Sequence, residues 1–273
     1  MVKKKTSGRS QFALRDVRDC ARDEEELTHI YHGGARCVTD SMGHATPENR
    51  SPLELVVDAS EGFIPLWGRD VTLHWRFNEQ SLTRFLDPEA VKGFVRELFG
   101  EALLEWGPAV PVKFTEAQQP WDFEIVVSSQ NDCDAAQRCT LASAFFPDGG
   151  QHRLTLYPLL FEQSRQEQIE TMAHELGHVF GLRHFFAKTG EAAFPSEIFG
   201  THERFSIMNY GPDSRLTDTD RSDLMVLYSH VWSGRLLEIN GTPVELMRPF
   251  SETRISRRPE AVAARVREPA AQA

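Results

Sequence analysis

One eleven-residue stretch constrains this chain more than any other feature of its sequence. It reads His-Glu-Leu-Gly-His-Val-Phe-Gly-Leu-Arg-His, with histidines at His174, His178 and His184. Two histidines four residues apart lie on the same face of a helix, one turn from each other. The chain must therefore fold around a helix that brings two imidazole rings to one point, and we predict that a metal ion binds there.

The same stretch has the parts of a catalytic metal site. Gly181 can adopt the left-handed backbone conformation that ends a helix, after which the chain can turn and bring His184 to the same ion. Three neutral imidazoles suit Zn²⁺ and leave the fourth tetrahedral position open for water. Glu175 follows the first histidine, and we predict that it is a general base toward that water.

The surrounding sequence predicts the helix itself. Ser164 is a favourable N-cap residue, and Glu167 lies three positions later, which completes a capping box. Apolar residues then recur at helical spacing and would anchor the helix in the core. These residues are Ile169, Met172, Ala173, Leu176, Val179 and Phe180. We predict a helix over residues 165–181.

Composition limits the class of protein. The chain has 273 residues, of which 40% are hydrophobic, and its formal net charge is −10. An acidic protein is a poor match for nucleic acid, whose phosphates need a basic surface. No apolar run approaches the length of a membrane span. Three lysines near the N-terminus are not followed by an apolar stretch of signal-peptide length, so we expect no ordinary export leader and leave the location open.

The predicted elements divide the chain into three parts. Residues 1–50 are polar and irregular and are predicted to be an extension, with a pro-like segment as one interpretation. Residues 51–230 are predicted to form the catalytic domain. Residues 231–273 are predicted to form a C-terminal extension, with a hairpin at Asn240-Gly241 and a largely disordered tail.

Alternating and helical patterns place the elements of the central part. They predict strands near residues 71–77, 110–115, 123–128 and 153–157 and helices over residues 88–106, 165–181 and 218–228. Cys133 and Cys139 flank a short polar loop between two of these strands, and they either form a disulfide or remain free thiols. The sequence does not choose among the pairings of these two with Cys20 and Cys37.

The chain resembles the metzincin clan of zinc endopeptidases, and within it the matrixin catalytic domain, over roughly residues 65–230. The segments that carry the resemblance are residues 102–114, 141–147, 174–184 and 216–228. Residues 206–210, Ser-Ile-Met-Asn-Tyr, are similar to the Met-turn of astacins and serralysins. Phe185 departs from the polar or acidic residue that matrixins, astacins and adamalysins usually place after the third histidine. A set of ligands for the structural zinc of matrixins is also missing.

The resemblance implies an α+β, metzincin-like zincin fold, with a twisted mixed sheet, an active-site helix, a second long helix and a C-terminal helix. It implies a zinc-dependent endopeptidase in which the three histidines bind Zn²⁺ and Glu175 is the general base. Met208 would lie beneath the metal, and a protein or peptide substrate would extend along residues 141–146. We expect a monomer.

Two other functions remain open at this point. One is a catalytically silent zinc-binding interaction protein, and the other is a zinc amidohydrolase that acts on a non-peptide substrate. The segment around Cys37 loosely resembles the matrixin cysteine switch, in which a thiolate occupies the open zinc position. An inert thiol or a disulfide is the alternative for Cys37.

Tyr210 gives the first testable prediction. By resemblance to astacins it would bind zinc in the resting enzyme and then donate a hydrogen bond to the oxyanion; the alternative is a buried tyrosine with a satisfied hydroxyl. Tyr210→Phe removes the hydroxyl and should lower kcat more than it raises KM. Steady-state kinetics on a peptide substrate measure both constants, and equal constants in the two proteins would rule out this role.

Overall fold

The computed structural model describes residues 55–58, 62–135, 137–183, 196–199, 206–208 and 215–255. Within them the protein has the mixed α+β architecture that the sequence predicts, with a mixed sheet, a metal-motif helix, a second long helix and a C-terminal helix. His184, Tyr210, Cys20 and Cys37 lie outside the described residues. No helix among the described residues is long and apolar enough to cross a membrane.

The described strands are short. In chain order they are β1 (Leu55–Asp58), β2 (Ile64–Trp67), β3 (Thr72–Phe77), β4 (Lys113–Glu116), β5 (Phe123–Val127), β6 (Asp132–Cys133), β7 (Cys139–Thr140), β8 (Ala142–Ser143), β9 (His152–Leu156), β10 (Ser196–Phe199), β11 (Glu238–Ile239) and β12 (Thr242–Met247).

The described helices differ more in length. They are α1 (Glu79–Leu82), α2 (Pro88–Trp106), α3 (Arg165–Val179), α4 (Asp218–Trp232) and α5 (Phe250–Ile255), and 3₁₀ turns cover Gly107–Ala109 and Pro158–Glu162.

A five-stranded sheet in the order β4-β3-β5-β9-β8 forms the centre of the fold. Its first four strands are parallel, and β8 runs antiparallel to β9 at the edge. In β3, Leu73, Trp75 and Phe77 are buried while the residues between them are half-buried, which confirms the predicted alternation. Strand β8 lies at the edge of this sheet, and within it Ala142 and Ser143 pair with β9.

The long helix α2 packs against α3. Asp87 caps α2 by accepting a hydrogen bond from the N–H of Ala90, with Pro88 in the first turn. Strand β4 begins at Lys113 rather than near residue 110, because the chain first makes a 3₁₀ turn in which Val110 donates to the Gly107 carbonyl at 3.3 Å.

Two of the three smaller sheets have two strands each. Strand β6 pairs with β7, and a disulfide between Cys133 and Cys139 closes this hairpin, so the pairing that the sequence left open is resolved for these two cysteines. Strand β1 pairs antiparallel with β10.

The C-terminal hairpin joins the N-terminal part of the fold. Asn240 and Gly241 both have positive φ, as a two-residue hairpin loop requires, and the predicted hairpin is formed by β11 and β12. Strand β12 also pairs in parallel with β2, and α4 continues to Trp232, one turn past the predicted end. Residues beyond 230 therefore pack onto the region assigned to the catalytic domain. The three-part division of the chain stays a prediction.

A buried carboxylate fixes the end of this segment to the sheet. Asp122 accepts hydrogen bonds from the backbone N–H groups of His74 and Ser251, each at 2.7 Å, and from the Ser251 hydroxyl at 2.9 Å. Because that hydroxyl donates to Asp122, it accepts at its oxygen from His74 Nδ1, 3.1 Å away. Asp122 and Ser251 are both buried, so these bonds have no competition from water.

We predict that Asp122→Ala destabilises the protein strongly. It would leave the N–H groups of His74 and Ser251 without an acceptor, and a buried unsatisfied group costs about 1–3 kcal/mol. Urea denaturation should show the free energy of unfolding lowered by roughly 2–5 kcal/mol. Glu252→Ala, which removes a surface pair with Arg248, is the control and should cost less than about 1 kcal/mol. Equal losses in the two variants would contradict the role of Asp122.

Candidate metal centre

Helix α3 begins at the capping box that the sequence predicts. The Glu167 carboxylate accepts hydrogen bonds from the Ser164 hydroxyl at 2.7 Å and from the Ser164 N–H at 2.9 Å, and the N–H of Glu167 donates back to the hydroxyl. These bonds favour the charged carboxylate, so the side-chain and backbone donors of Ser164 lower the pKa of Glu167. The negative charge in turn suits the positive end of the helix dipole.

The helix ends in a Schellman motif, which sets the path of the chain after the second histidine. The N–H of Gly181 donates to the His178 carbonyl at 2.8 Å, and the N–H of Leu182 donates to the Gly177 carbonyl at 2.9 Å. Gly181 has a φ of +92°, as predicted. A Cβ there would lie 2.8 Å from Leu66 Cδ2, so both the conformation and the packing require glycine.

Buried aromatic side chains hold the body and the end of α3. The hydrogen bonds run from Trp106 Nε1 to the Ala173 carbonyl (2.8 Å), from Trp67 Nε1 to the Val179 carbonyl (2.7 Å) and from Tyr228 OH to the Phe180 carbonyl (3.0 Å). The last two carbonyls lie at the C-terminal end of the helix, where intrahelical donors run out. Burial raises the pKa of Tyr228, so its hydroxyl stays protonated and can donate.

Sequence reasoning missed these three aromatic residues as supports of the site. Trp106 ends the apolar face of a predicted helix, and Trp67 and Tyr228 lie in or beside predicted elements. Each looked like an ordinary core residue. The available signal was chemical, since a buried indole or phenol needs a partner for its N–H or O–H. The sequence does not reveal which carbonyl that partner is.

His174 and His178 face each other across one turn of α3. Their Nε2 atoms are 3.2 Å apart, and their rings are nearly perpendicular, at 85° with centroids 4.9 Å apart. The Nδ1 of His174 lies 2.7 Å from the Ile207 carbonyl, and the Nδ1 of His178 lies 2.7 Å from the Leu182 carbonyl. A carbonyl can only accept, so in the neutral rings each Nδ1 carries the proton and each Nε2 presents a lone pair.

This arrangement fits zinc. Two ligand nitrogens at a Zn–N distance of about 2.0–2.1 Å and a tetrahedral angle are about 3.3–3.4 Å apart, close to the 3.2 Å between the two Nε2 atoms. Two lone pairs at that distance repel unless a proton or a cation lies between them. Histidine ligands of metals usually donate their other N–H to a carbonyl or carboxylate, as both rings do here.

The remaining predicted site residues are placed only in part. Glu175 follows His174 in the sequence, lies on the helix that carries both histidines, and is buried. The third predicted ligand, His184, and the predicted Tyr210 lie outside the described residues. Among the described residues no group of three His, Cys, Asp or Glu side chains is arranged to hold a metal.

Met208 lies directly against the turn of helix between the two histidines. A Cβ on Gly177 would be 2.5 Å from Met208 Sδ and 3.5 Å from Trp106 Cζ2, so the glycine allows the sulfur to approach the helix backbone. Met208 is buried. The sequence predicts an apolar floor beneath the metal, and the described structure places Met208 next to the helix at this point.

The aromatic residue at the end of the predicted substrate segment contacts the second histidine. Phe146 follows the edge strand β8, and its ring meets that of His178 edge to face, at 5.5 Å between centroids and 82°. The guanidinium carbon of Arg183, a fully buried residue, lies 5.8 Å from the centroid of the same ring. The end of the predicted cleft strand therefore reaches the metal helix.

Asp220 connects the first histidine to helix α4. Its carboxylate accepts from the Ser206 hydroxyl at 2.6 Å and from the N–H of Ile207 at 3.3 Å. The same carboxylate completes the capping box of α4 by accepting from the N–H and hydroxyl of Thr217, both at 2.9 Å. One buried side chain thus holds the start of a helix and the residue whose carbonyl accepts from His174.

We predict that Asp220→Ala weakens zinc binding as well as stability. The variant frees the segment that presents the Ile207 carbonyl, and the loss of such support for a ligand costs about 10- to 100-fold in metal affinity. Competition with a chromogenic chelator measures the affinity, and urea denaturation measures the stability. Asp218→Ala changes an exposed acid in the same first turn and should leave zinc affinity unchanged; a similar loss in both variants would refute the role of Asp220.

Comparisons with known proteins agree with the resemblance. Residues 66–194 match the family model of Matrixin. This segment begins in β2 and includes the whole histidine motif. The comparison with curated proteins found no match.

Among solved structures, two of myroilysin are similar, each at 13% identity and a TM-score of 0.41; they cover 63% and 79% of this chain and 98% of their own. High choriolytic enzyme 1, a hatching-enzyme zinc-protease from the medaka Oryzias latipes, has 12% identity and a TM-score of 0.37, with 72% of this chain and 99% of that chain covered. Through residues 66–194, which carry the two facing histidines, the chain is similar to the matrixin family.

Proposed function

We propose that this protein is a zinc-dependent endopeptidase. The observation that carries the proposal is the pair of imidazoles on α3, whose Nε2 atoms face each other at 3.2 Å while both Nδ1 atoms donate to backbone carbonyls. The pair lies inside the segment that matches the Matrixin family, which supports zinc-dependent peptidase activity. The individual residue roles below belong to the proposal.

His174, His178 and His184 would hold the zinc ion, with a coordination position left for substrate or water. Zinc bound there supplies Lewis acidity, which polarises a carbonyl and makes water acidic near neutral pH. The two described histidines contribute by geometry: their rings cannot rotate without breaking the hydrogen bonds to Ile207 and Leu182.

Glu175 would be the general base. It would take a proton from the attacking water and deliver it to the amine that leaves as the peptide bond breaks. Its burial favours this role, because an acid side chain away from bulk water interacts more strongly with charge that develops nearby. Tyr210 would donate a hydrogen bond to the oxyanion of the transition state.

The peptide would bind along the edge of the central sheet. Strand β8 is the last strand in the sheet order and contacts α3. Its outer edge can pair with an extended peptide through main-chain hydrogen bonds, which hold a substrate with little demand on its sequence. A peptide in that position passes the helix that carries His174 and His178, and this favours peptide over a small amide as the substrate.

The test of the proposal is Glu175→Gln in zinc-loaded protein. The substitution keeps the size and removes the basic oxygen, and a general base contributes about 10²- to 10⁴-fold to the rate. We expect wild-type protein to digest casein, a zinc chelator to abolish digestion, and the variant to lose activity by that factor while it retains zinc. Zinc content is measured by atomic absorption.

Glu170→Gln is the matched control. Glu170 lies on the same helix and accepts a hydrogen bond from Gln166 at 2.9 Å, so its substitution changes the same chemical group away from the histidines. It should leave casein digestion unchanged. Zinc-loaded wild-type protein that cleaves small amides but no peptide would favour an amidohydrolase, and one that binds zinc and cleaves neither would favour the interaction protein.

A further inference from the structure

The carbonyl that orients His178 belongs to a residue held from two sides. Leu182 accepts from His178 Nδ1 at 2.7 Å, and its own N–H donates to the Gly177 carbonyl at 2.9 Å. An isolated antiparallel β-bridge also pairs Leu182 with Val57. Val57 and Leu182 are both fully buried. The second histidine is therefore connected, through one residue, to a strand far upstream in the chain.

That strand is β1, and Val57 is paired on both of its edges. On one edge β1 pairs with β10, where Val57 is opposite Glu197, and on the other edge it meets Leu182. Strand β10 lies in sequence between His184 and Met208. Strand β1 thus links the turn after α3 to β10, which is part of the segment between His184 and Met208.

We propose that β1 is a positioning strand of the metal centre, with Val57 the residue through which it acts. Its bridge fixes the peptide of Leu182 and thereby the direction of the carbonyl that orients the His178 ring. This inference rests on the proposed zinc site. It adds a residue outside the part of the chain that matches the Matrixin family, because that part begins at residue 66.

The physical reason lies in the position of this carbonyl beyond the end of the helix. Past Gly181 the chain has left the helix, and the direction of a carbonyl after a helix end depends on the φ and ψ angles of the next residues. The Schellman hydrogen bond fixes the N–H group of Leu182, and the bridge to Val57 constrains the backbone that follows it. If the carbonyl turns away, the His178 ring loses its acceptor and Nε2 is no longer directed toward His174.

Loss of this positioning should have a measurable effect on zinc affinity. Residues that orient a metal ligand without touching the metal typically change metal affinity 10- to 100-fold when they are lost. Loss of β1 pairing should therefore weaken zinc binding by that factor. It should also alter coordination geometry, which the visible spectrum of the Co²⁺-substituted protein reports independently of any catalytic assay.

The test uses the full chain with Val57→Pro, because proline removes a backbone N–H and is poorly tolerated in the interior of a strand. We expect zinc affinity, measured by chelator competition, to fall about 10- to 100-fold, with a changed Co²⁺ spectrum. Val57→Ile keeps the strand and the apolar side chain and should bind zinc as the wild type does. Val57→Gly weakens the strand without removing the N–H, so its zinc affinity should lie between those of the other two variants. It replaces the proline variant if that variant does not fold.

The outcomes separate this inference from the proposed function. Wild-type affinity and spectrum in Val57→Pro and Val57→Gly would overturn the positioning role while the zinc site stands. Lower stability of the metal-free variants without a change in zinc affinity would overturn it too, since β1 would then only support the fold. Wild-type protein that binds no zinc would overturn the proposed function and this inference together.

Discussion

Two hydrogen bonds to backbone carbonyls orient the two histidines of α3 that we propose as zinc ligands. The Nδ1 atoms of His174 and His178 donate to Ile207 and Leu182, and these bonds leave both Nε2 atoms directed at one point. The acceptors lie on two different segments that follow the helix. The site therefore depends on the tertiary fold around α3 as much as on the helix that carries the ligands.

The rest of the described structure keeps those carbonyls in place. Asp220 holds the residues before Met208, and the Schellman turn with the bridge to Val57 holds Leu182. Trp67 and Tyr228 take no direct part in the proposed chemistry. Their hydrogen bonds to the end of α3 fix the helix relative to β2 and α4. Each of these hydrogen bonds involves a buried polar group, and removal of its partner would cost about 1–3 kcal/mol of stability.

Local signals in the sequence were enough for the longer helices and for the pair of histidines that face each other on α3. The capping box at Ser164, the glycine at Gly181 and the Asn240-Gly241 hairpin each act within a few residues, and the structure has all three. Contacts between distant residues could not be predicted in this way. Trp67 and Val179 are 112 positions apart, and Asp122 and Ser251 are 129 apart. No periodicity or spacing encodes such partners, because any buried donor can satisfy any nearby acceptor.

The parallel pairing of β12 with β2 has a consequence for biosynthesis. β2 emerges from the ribosome early and β12 late, and contacts between such distant segments form slowly because a large loop must close first. Until β12 arrives, the edge of β2 that it covers stays unpaired, and β2 carries the indole that supports the end of α3. Assembly of the proposed metal centre is therefore coupled to the pairing of β2 with β12, and a nascent chain in which β12 has not yet formed would lack a fully supported site.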